Sequence, residues 1–225
     1  MKFTFVTLFP NLVEPYFHDS ILKRAVESGF ISYEFYNPRD YTKSKHLKVD
    51  SPMCAGGAGM LMSPQPLFDT LDYIKSKDED VYIIFPLAAA KPFRQNDAKR
   101  LVKKKNIVFV SGRYEGIDER VIEKYADEVF CIGEYILTGG ELPSLVMADA
   151  ISRNCAGVLG NAQSLDVESY ENGLLEAPSF TKPEKFQNLS VVKEFLKGNH
   201  SKIHDLKFQM SICKTKYYRP NKEKK

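Results

Sequence analysis

The sequence predicts an α/β protein, a parallel sheet with helices on both faces followed by a small helical C-terminal domain. Three observations carry that reading. Between residues 65 and 132, short runs rich in Val, Ile and Phe alternate with stretches of helical spacing, the signature of repeated βαβ units. The length of 225 residues, with 43% hydrophobic and 27% charged, suits one large domain or a medium one plus a small one and excludes collagen-like or disordered chains. After residue 155 the alternation stops, and from residue 182 the chain turns basic.

Taken in order, residues 2–9 (KFTFVTLF) read as a first strand stopped by Pro10, and not as a signal peptide, because no small-residue cleavage site follows. A helix follows over 20–28, with Asp19 as its cap and Gly29 beyond its end. Residues 31–35 form a strand and Pro38-Arg39-Asp40 the turn after it. Residues 43–64 read mostly as loop, with the Gly-rich stretch Ala55-Gly56-Gly57-Ala58-Gly59 inside it; a loop this long in a compact domain is usually functional or disordered. The regular part then gives helix 65–76, strand 81–85, helix 97–104, strand 107–111, helix 117–125 and strand 127–132.

Residues 141–154 read as a helix that tolerates Pro143 in its first turn. Residues 155–178 have little periodicity, and helical spacing returns over 189–211. The domains are therefore drawn at 1–160 and 173–225, with a linker at 161–172.

Several classes are excluded by elimination. The longest apolar run, 81–90, has ten residues and contains Pro86, against about 20 for a bilayer span; no membrane segment is expected. Cys54, Cys131, Cys155 and Cys213 lie 77, 24 and 58 positions apart, which fits neither a zinc site nor a disulfide framework and indicates a reducing, cytoplasmic setting. His200 and His204 share a helical face, but no carboxylate or Cys is spaced to complete a ligand set, so no metal site is expected. The net charge of +3 is uneven: residues 182–225 hold 12 Lys/Arg against 4 Asp/Glu, leaving 20 against 25 before them. That basic end is either a polyanion contact or a solvated helical surface.

Ligands of open parallel sheets bind beyond the carboxyl ends of the strands. Three loops there stand out: 86–90 (PLAAA), 112–116 (GRYEG) and 133–140 (GEYILTGG). None matches a dinucleotide or P-loop fingerprint. They offer glycine backbone donors, apolar walls from Leu87, Ile132 and Leu137, and carboxylates at Glu115 and Glu134, a set suited to an adenosine-like ligand with a positive centre. Asp50, Asp118, Glu119, Asp149, Asp166, Glu168 and Glu171 are the acid–base candidates; no nucleophile–histidine pairing is implied.

GRYEGIDERV (112–121) and IGEYILTGGELP (132–143) closely resemble the bacterial tRNA (guanine-N(1))-methyltransferase family of the SPOUT superfamily, and NPRDYT (37–42), GAGMLM (57–62), GVLG (157–160) and GLLEAPSFTKPE (173–184) extend the resemblance over nearly the whole chain. The resemblance implies a deep trefoil knot in the sheet, a homodimer whose active sites are completed by the partner's linker and C-terminal domain, and methyl transfer from S-adenosylmethionine to N1 of the guanine immediately 3′ of the anticodon of tRNA. It places the cofactor against Pro86, Leu87, Ala88, Gly112, Ile132, Gly133, Tyr135, Leu137, Gly139 and Gly140, with Glu115 at the guanine or the cofactor end. Arg153 matches the family arginine that orients the donor and offsets charge on the guanine oxygen. It also brings a magnesium requirement, for which no ligand cluster is seen.

The sequence departs from the family at the base, where Glu168-Ser169-Tyr170 stands for an Asp, a Ser and an aromatic. Glu168 is taken as the base, with Asp166 as substitute. Residues 51–55 and the pair Leu87-Ala88 also differ from the family pattern. Lys182, Lys207, Lys214, Lys216 and Arg219 are candidate RNA backbone contacts. A related SPOUT enzyme acting on ribosomal RNA or a ribose hydroxyl, and a non-catalytic RNA-binding protein, remain alternatives.

Overall fold

The computed structural model describes residues 1–160, 168–170 and 173–220. They fall into two compact units, one of residues 1–160 and one drawn from 161–225.

In the first unit, strands β1 (Lys2–Val6), β2 (Ser32–Tyr36), β5 (Tyr82–Pro86), β6 (Asn106–Val110) and β7 (Glu128–Phe130) form one sheet in the order β2-β1-β6-β5-β7. Every pairing in it is parallel. The central strand β6, NIVFV, is buried at all five positions, because it has helices on both sides and no face for water. Its side chains alternate between two cores. Ile107 and Phe109 join Phe3, Phe5 and Ile84 beneath α1 (Ser20–Glu27), α3 (Gln95–Leu101) and α5 (Glu141–Ser152). Val108 and Val110 join Val6, Ile83 and Phe85 beneath α2 (Pro64–Lys77) and α4 (Glu119–Tyr125). The α/β class and its two helical layers are thus as the sequence predicts, with boundaries shifted by a few residues.

Two stretches differ from expectation. The segment 43–64 is not all loop: β3 (Asp50–Pro52) and β4 (Met60–Met62) pair as an antiparallel hairpin. It exists because it docks, with Glu115 N–H donating to Met60 O, Met62 N–H to Gly116 O and Asp118 N–H to Met62 O. The second unit begins its regular structure with the short hairpin β8 (Lys185–Phe186) and β9 (Leu189–Ser190), and its helix α6 (His200–Tyr218) starts later and runs further than the predicted 189–211. Asn199 sets the start by accepting from Lys202 N–H, while 193–196 form a separate 3-10 turn.

The outer strand β7 is held by charge as well as by the ladder. Glu128, with 13% of its side chain exposed, accepts from Arg100, Lys91 and the Tyr82 hydroxyl at 2.6–2.9 Å. Burial alone would raise its pKa; the donors, Arg100 first, outweigh it and hold the carboxyl at about 2, while burial and the same carboxylate push Tyr82 up to about 12. A folded-state pKa below the unfolded one stabilises above the unfolded value and is lost as pH falls towards the folded one. We therefore expect Glu128→Gln to cost about 2–3 kcal/mol at pH 7, with the gap to wild type closing between pH 5 and pH 2. Urea unfolding at a series of pH values measures it, and two parallel stability curves over that range would contradict it.

Candidate functional site

The loops after β5, β6 and β7 leave the same edge of the sheet, and together they enclose a cleft of about 450 Å³, inside the range of about 300–1,000 Å³ usual for small-molecule sites. All eleven residues assigned to the cofactor from sequence line it: Pro86, Leu87, Ala88, Gly112, Glu115, Ile132, Gly133, Tyr135, Leu137, Gly139 and Gly140. Arg113, Tyr114, Ile117 and Ile136 also line it and were not singled out, although the first three stand inside the GRYEGI motif. Glu134, offered as a carboxylate of the site, is exposed and is not among the lining residues.

One wall is rigid. Gly140 N–H donates to Gly112 O at 2.8 Å, and a Cβ on Gly140 would stand 2.7 Å from Ser111 Cα and 2.8 Å from Gly112 N. Only a glycine lets these two backbones touch. Gly139 lies against an ion pair between Arg113 Nε and Glu141 Oε2 at 2.9 Å, in which the carboxylate is 3% exposed. The remaining Glu141 oxygen accepts from the Thr7 hydroxyl at 2.7 Å. Arg113 also donates to Thr138 O and lies over the Phe9 ring at 4.6 Å. Nothing in local sequence announces a buried Glu141; only its place before an apolar helix hints at it.

The other wall is open. Among the described residues, no backbone N–H from Ile132 to Gly139 donates to another protein group. Most of these residues are exposed, so water meets that need until a ligand replaces it. With the apolar sides of Leu87, Ile132 and Leu137, the loop presents a row of backbone donors and acceptors to a flat polar heterocycle. The glycines keep the floor clear of side chains, so the residues present fit an adenosine-bearing methyl donor.

The hairpin β3–β4 forms the rim beside Glu115. Gly59, at φ +94°, packs directly on the Glu115 side chain, which would collide with any Cβ there.

The acid–base candidates are scattered. Asp118 caps α4 and binds Arg120, whose hydrogen bonds hold its carboxyl below the usual range. Asp149 accepts from the Tyr16 hydroxyl at 2.9 Å, which raises that phenol's pKa. Arg153 sits at the C-terminal end of α5, which begins beside the cleft; twelve residues of helix put about 18 Å between the ends. Glu168 belongs to the second unit, and the turn that carries it is pinned: Ser169 Oγ accepts from Glu176 N–H, Tyr170 N–H donates to Leu174 O, and Arg219 donates to the Tyr170 hydroxyl while stacking on its ring. Arg219, read from sequence as a phosphate contact, is thus engaged by Tyr170. Asp166 and Glu171 lie outside the described residues. Among the described residues no group of three His, Cys, Asp or Glu side chains is placed to hold a metal ion, and no helix is long and apolar enough to cross a membrane.

Comparison with known proteins adds the following. The family model described as tRNA (Guanine-1)-methyltransferase TrmD matches residues 1–225. A tRNA (guanine-N(1)-)-methyltransferase of Sulfurovum sp. (strain NBC37-1) is 66% identical over 225 residues, covering 100% of this chain and 99% of the relative. One of Sulfurimonas denitrificans is 67% identical over 220 residues, 98% of this chain and 95% of the relative. One of Campylobacter jejuni (strain RM1221) is 56% identical over 225 residues, 98% of this chain and 96% of the relative.

The two kinds of glycine in the cleft separate experimentally. Gly140→Ala meets backbone that has nowhere to go and is expected to cost about 3 kcal/mol or more, a fall in Tm of about 6–12 °C. Gly133→Ala meets only the ring of Tyr135, which is 55% exposed and free to swing aside, and is expected to stay within about 1 kcal/mol of wild type. Thermal melts of the two variants decide it; equal losses would show that the crossing at Gly140 is not the tight point.

Proposed function

Since the chain belongs to the tRNA (guanine-1)-methyltransferase family, and so methylates N1 of a guanine in tRNA, we propose how its residues divide that work. The observation that carries the proposal is the cleft itself, in which an open row of backbone amides and three apolar walls stand opposite a rigid glycine floor.

The methyl donor of this family is S-adenosylmethionine, which supplies a sulfonium-bound, electrophilic methyl carbon. Leu87, Ile132 and Leu137 sandwich the adenosine while the 132–139 backbone reads its polar edge. Glu115, fixed by Gly59 and Met60, stands at the mouth, where the guanine enters. Glu168 takes the N1 proton onto its carboxylate, leaving the ring nitrogen its lone pair for the in-line displacement. Arg153 offsets the negative charge that this puts on the guanine oxygen. Alignment accounts for most of the barrier lowering, and a positioned base contributes about 10²–10⁴-fold. We place the target at the guanine immediately 3′ of the anticodon, in a loop where a base is extracted without breaking a duplex, and the enzyme in the cytoplasm, with all four cysteines free. No magnesium site is assigned to the chain's own described residues.

The proposal also makes the enzyme a homodimer with shared sites. Its support is twofold. Arg153 stands a full helix length from the cleft that α5 borders, so it serves a cleft other than its own chain's. The face beside it is apolar and uncovered: Phe9, Leu12 and Tyr16 on the segment bonded to α5, and Leu142 and Val146 on α5 itself, are all more than 40% exposed. A deep knot at the three loops is part of the same reading, supported by the backbone contact of Gly140 with Ser111 and Gly112.

Two measurements check these assignments. Glu168→Gln is expected to lose about 10²–10⁴-fold in single-turnover methylation with unchanged affinity for the donor, while Asp166→Asn keeps its rate; the reverse result makes Asp166 the base. Leu137→Lys sets an ammonium in the wall against a cationic donor and disables the cleft. A doubly tagged mixed dimer of Leu137→Lys and Glu168→Gln chains then holds one intact composite site and recovers about half the wild-type activity. A mixed dimer as inactive as its parents would put cleft and base in the same chain.

A further inference from the structure

Several cations of the first unit are neutralised where they stand. Lys2 pairs with Glu34, Lys23 with Glu27, Lys91 and Arg100 with Glu128, Arg113 with Glu141 and Arg120 with Asp118. Residues 1–160 as a whole carry 20 Lys/Arg against 21 Asp/Glu. Near the cleft, cations gather in the loop RDYTKSKHLK (39–48), with four basic residues against one acidic and His46 among them. Lys43 has Asp69 at 3.4 Å, but among the described residues Lys45 and Lys48 have no carboxylate partner, and both are exposed.

This loop is built, not slack. The Thr42 hydroxyl donates to Lys48 O at 2.6 Å, Arg39 donates to Leu47 O, and Leu47 N–H donates to Ser44 O. Gln65 closes it from α2, its amide donating to Tyr41 O while its carbonyl accepts from Lys43 N–H. Its place is also fixed. It leaves the carboxyl end of β2, the edge of the sheet on which the cleft opens, and runs two residues beyond Lys48 into β3, whose hairpin partner β4 is hydrogen-bonded to the Glu115 loop at the cleft. The other basic run of this unit, 99–105, precedes β6 and so lies at the opposite edge, where Arg100 is paired with Glu128 and Lys104 covers the Tyr82 ring.

We propose that Lys45 and Lys48 form a phosphate-binding surface of the first unit, gripping the tRNA backbone next to the nucleotide held in the cleft. This rests on the tRNA methyltransferase reading above and adds to it an RNA contact outside the basic C-terminal unit. Two unpaired ammonium groups on a stiff loop suit a polyanion: they lose little order on binding, and each phosphate neutralised releases counterions. The hairpin joins this grip to the Glu115 side of the cleft, so it fixes the register of the strand and leaves base identity to the cleft.

The test compares full-length wild type, Lys45→Glu/Lys48→Glu, Lys45→Arg/Lys48→Arg and, at the opposite edge, Lys103→Glu/Lys105→Glu. Each is titrated with an unmodified tRNA transcript over a range of salt and separately with S-adenosylmethionine, and methyl transfer by wild type is scored by nucleoside mass spectrometry. The charge-reversed loop is expected to raise the tRNA Kd at least tenfold at low salt and to flatten the log Kd against log salt slope by about 1.4, two phosphates at about 0.7 each. The arginine pair is expected to bind like wild type, the opposite-edge variant to change the Kd less than threefold, and donor affinity to be the same in all four. Wild-type Kd and slope in the charge-reversed loop, or an equal loss at the opposite edge, overturns the phosphate surface while wild-type methylation still stands. A wild type that transfers no methyl to tRNA overturns instead the reading on which it rests. Should the reversed variant melt early, Lys45→Gln/Lys48→Gln takes its place, with the same slope change of about 1.4 expected and an unchanged slope again overturning the proposal.

Discussion

A single buried carboxylate holds together the parts of the chain that make the cleft. Glu141 opens α5 just after Gly139-Gly140, is 3% exposed, and is shared between the hydroxyl of Thr7 beyond β1 and the guanidinium of Arg113 beyond β6. A charge so far from water costs several kcal/mol unless it is paired, and losing one partner typically costs about 3–5 kcal/mol. Three segments, two of them 28 positions apart and the third more than a hundred residues before either, therefore have one low-energy arrangement. In that arrangement Gly140 must lie on the backbone of Ser111 and Gly112, and the Ser144 hydroxyl, donating to Gly140 O, fastens the first turn of α5 to the same point.

That rigidity sets off the looseness of the opposite wall. The backbone from Ile132 to Gly139 is tied down at both ends, by β7 on one side and by the Gly140 crossing on the other, while its own N–H groups between have no acceptor among the described residues. A segment anchored so holds its course but keeps its hydrogen-bonding capacity for a ligand. The Glu115 loop is treated differently, since the β3–β4 hairpin uses up its backbone groups and Gly59 confines its side chain. The cleft therefore has a floor that cannot move, a wall ready to bond, and a carboxylate fixed at the rim.

What sequence could reveal follows the range of the forces involved. Strands β5 and β6 were legible because continuous burial writes itself as YIIF and NIVFV. The cleft loops were legible because a parallel sheet puts its ligands beyond its carboxyl ends, and because two motifs resemble a known family. The β3–β4 hairpin was not, since Asp50, Ser51 and Pro52 have poor strand propensity and pair only because the 113–118 loop receives them. The start of α6 was missed because Val192, Phe195 and Leu196 continue the helical spacing through a segment that folds as a separate 3-10 turn. The Arg113–Glu141 pair was invisible for the simplest reason: two charges 28 positions apart reveal nothing until the fold makes them neighbours.

The glutamate at the proposed base position shows how local anchoring can offset a chemical departure. Glutamate has one more rotatable bond than aspartate, and fixing it costs a fraction of a kcal/mol to about 1 kcal/mol, whereas a base is useful only within hydrogen-bond reach of its proton, about 2.6–3.2 Å. The added methylene would blur that position if its backbone were also loose. Here Ser169 and Tyr170 are bonded to Glu176 and Leu174, and Arg219 clamps the tyrosine from the end of α6. The Cα of residue 168 is thereby referred to the framework of the second unit, so the extra reach adds length without adding freedom at the root. On the proposed assignment, a longer carboxylate on a pinned stem takes the place of the shorter one of the family pattern.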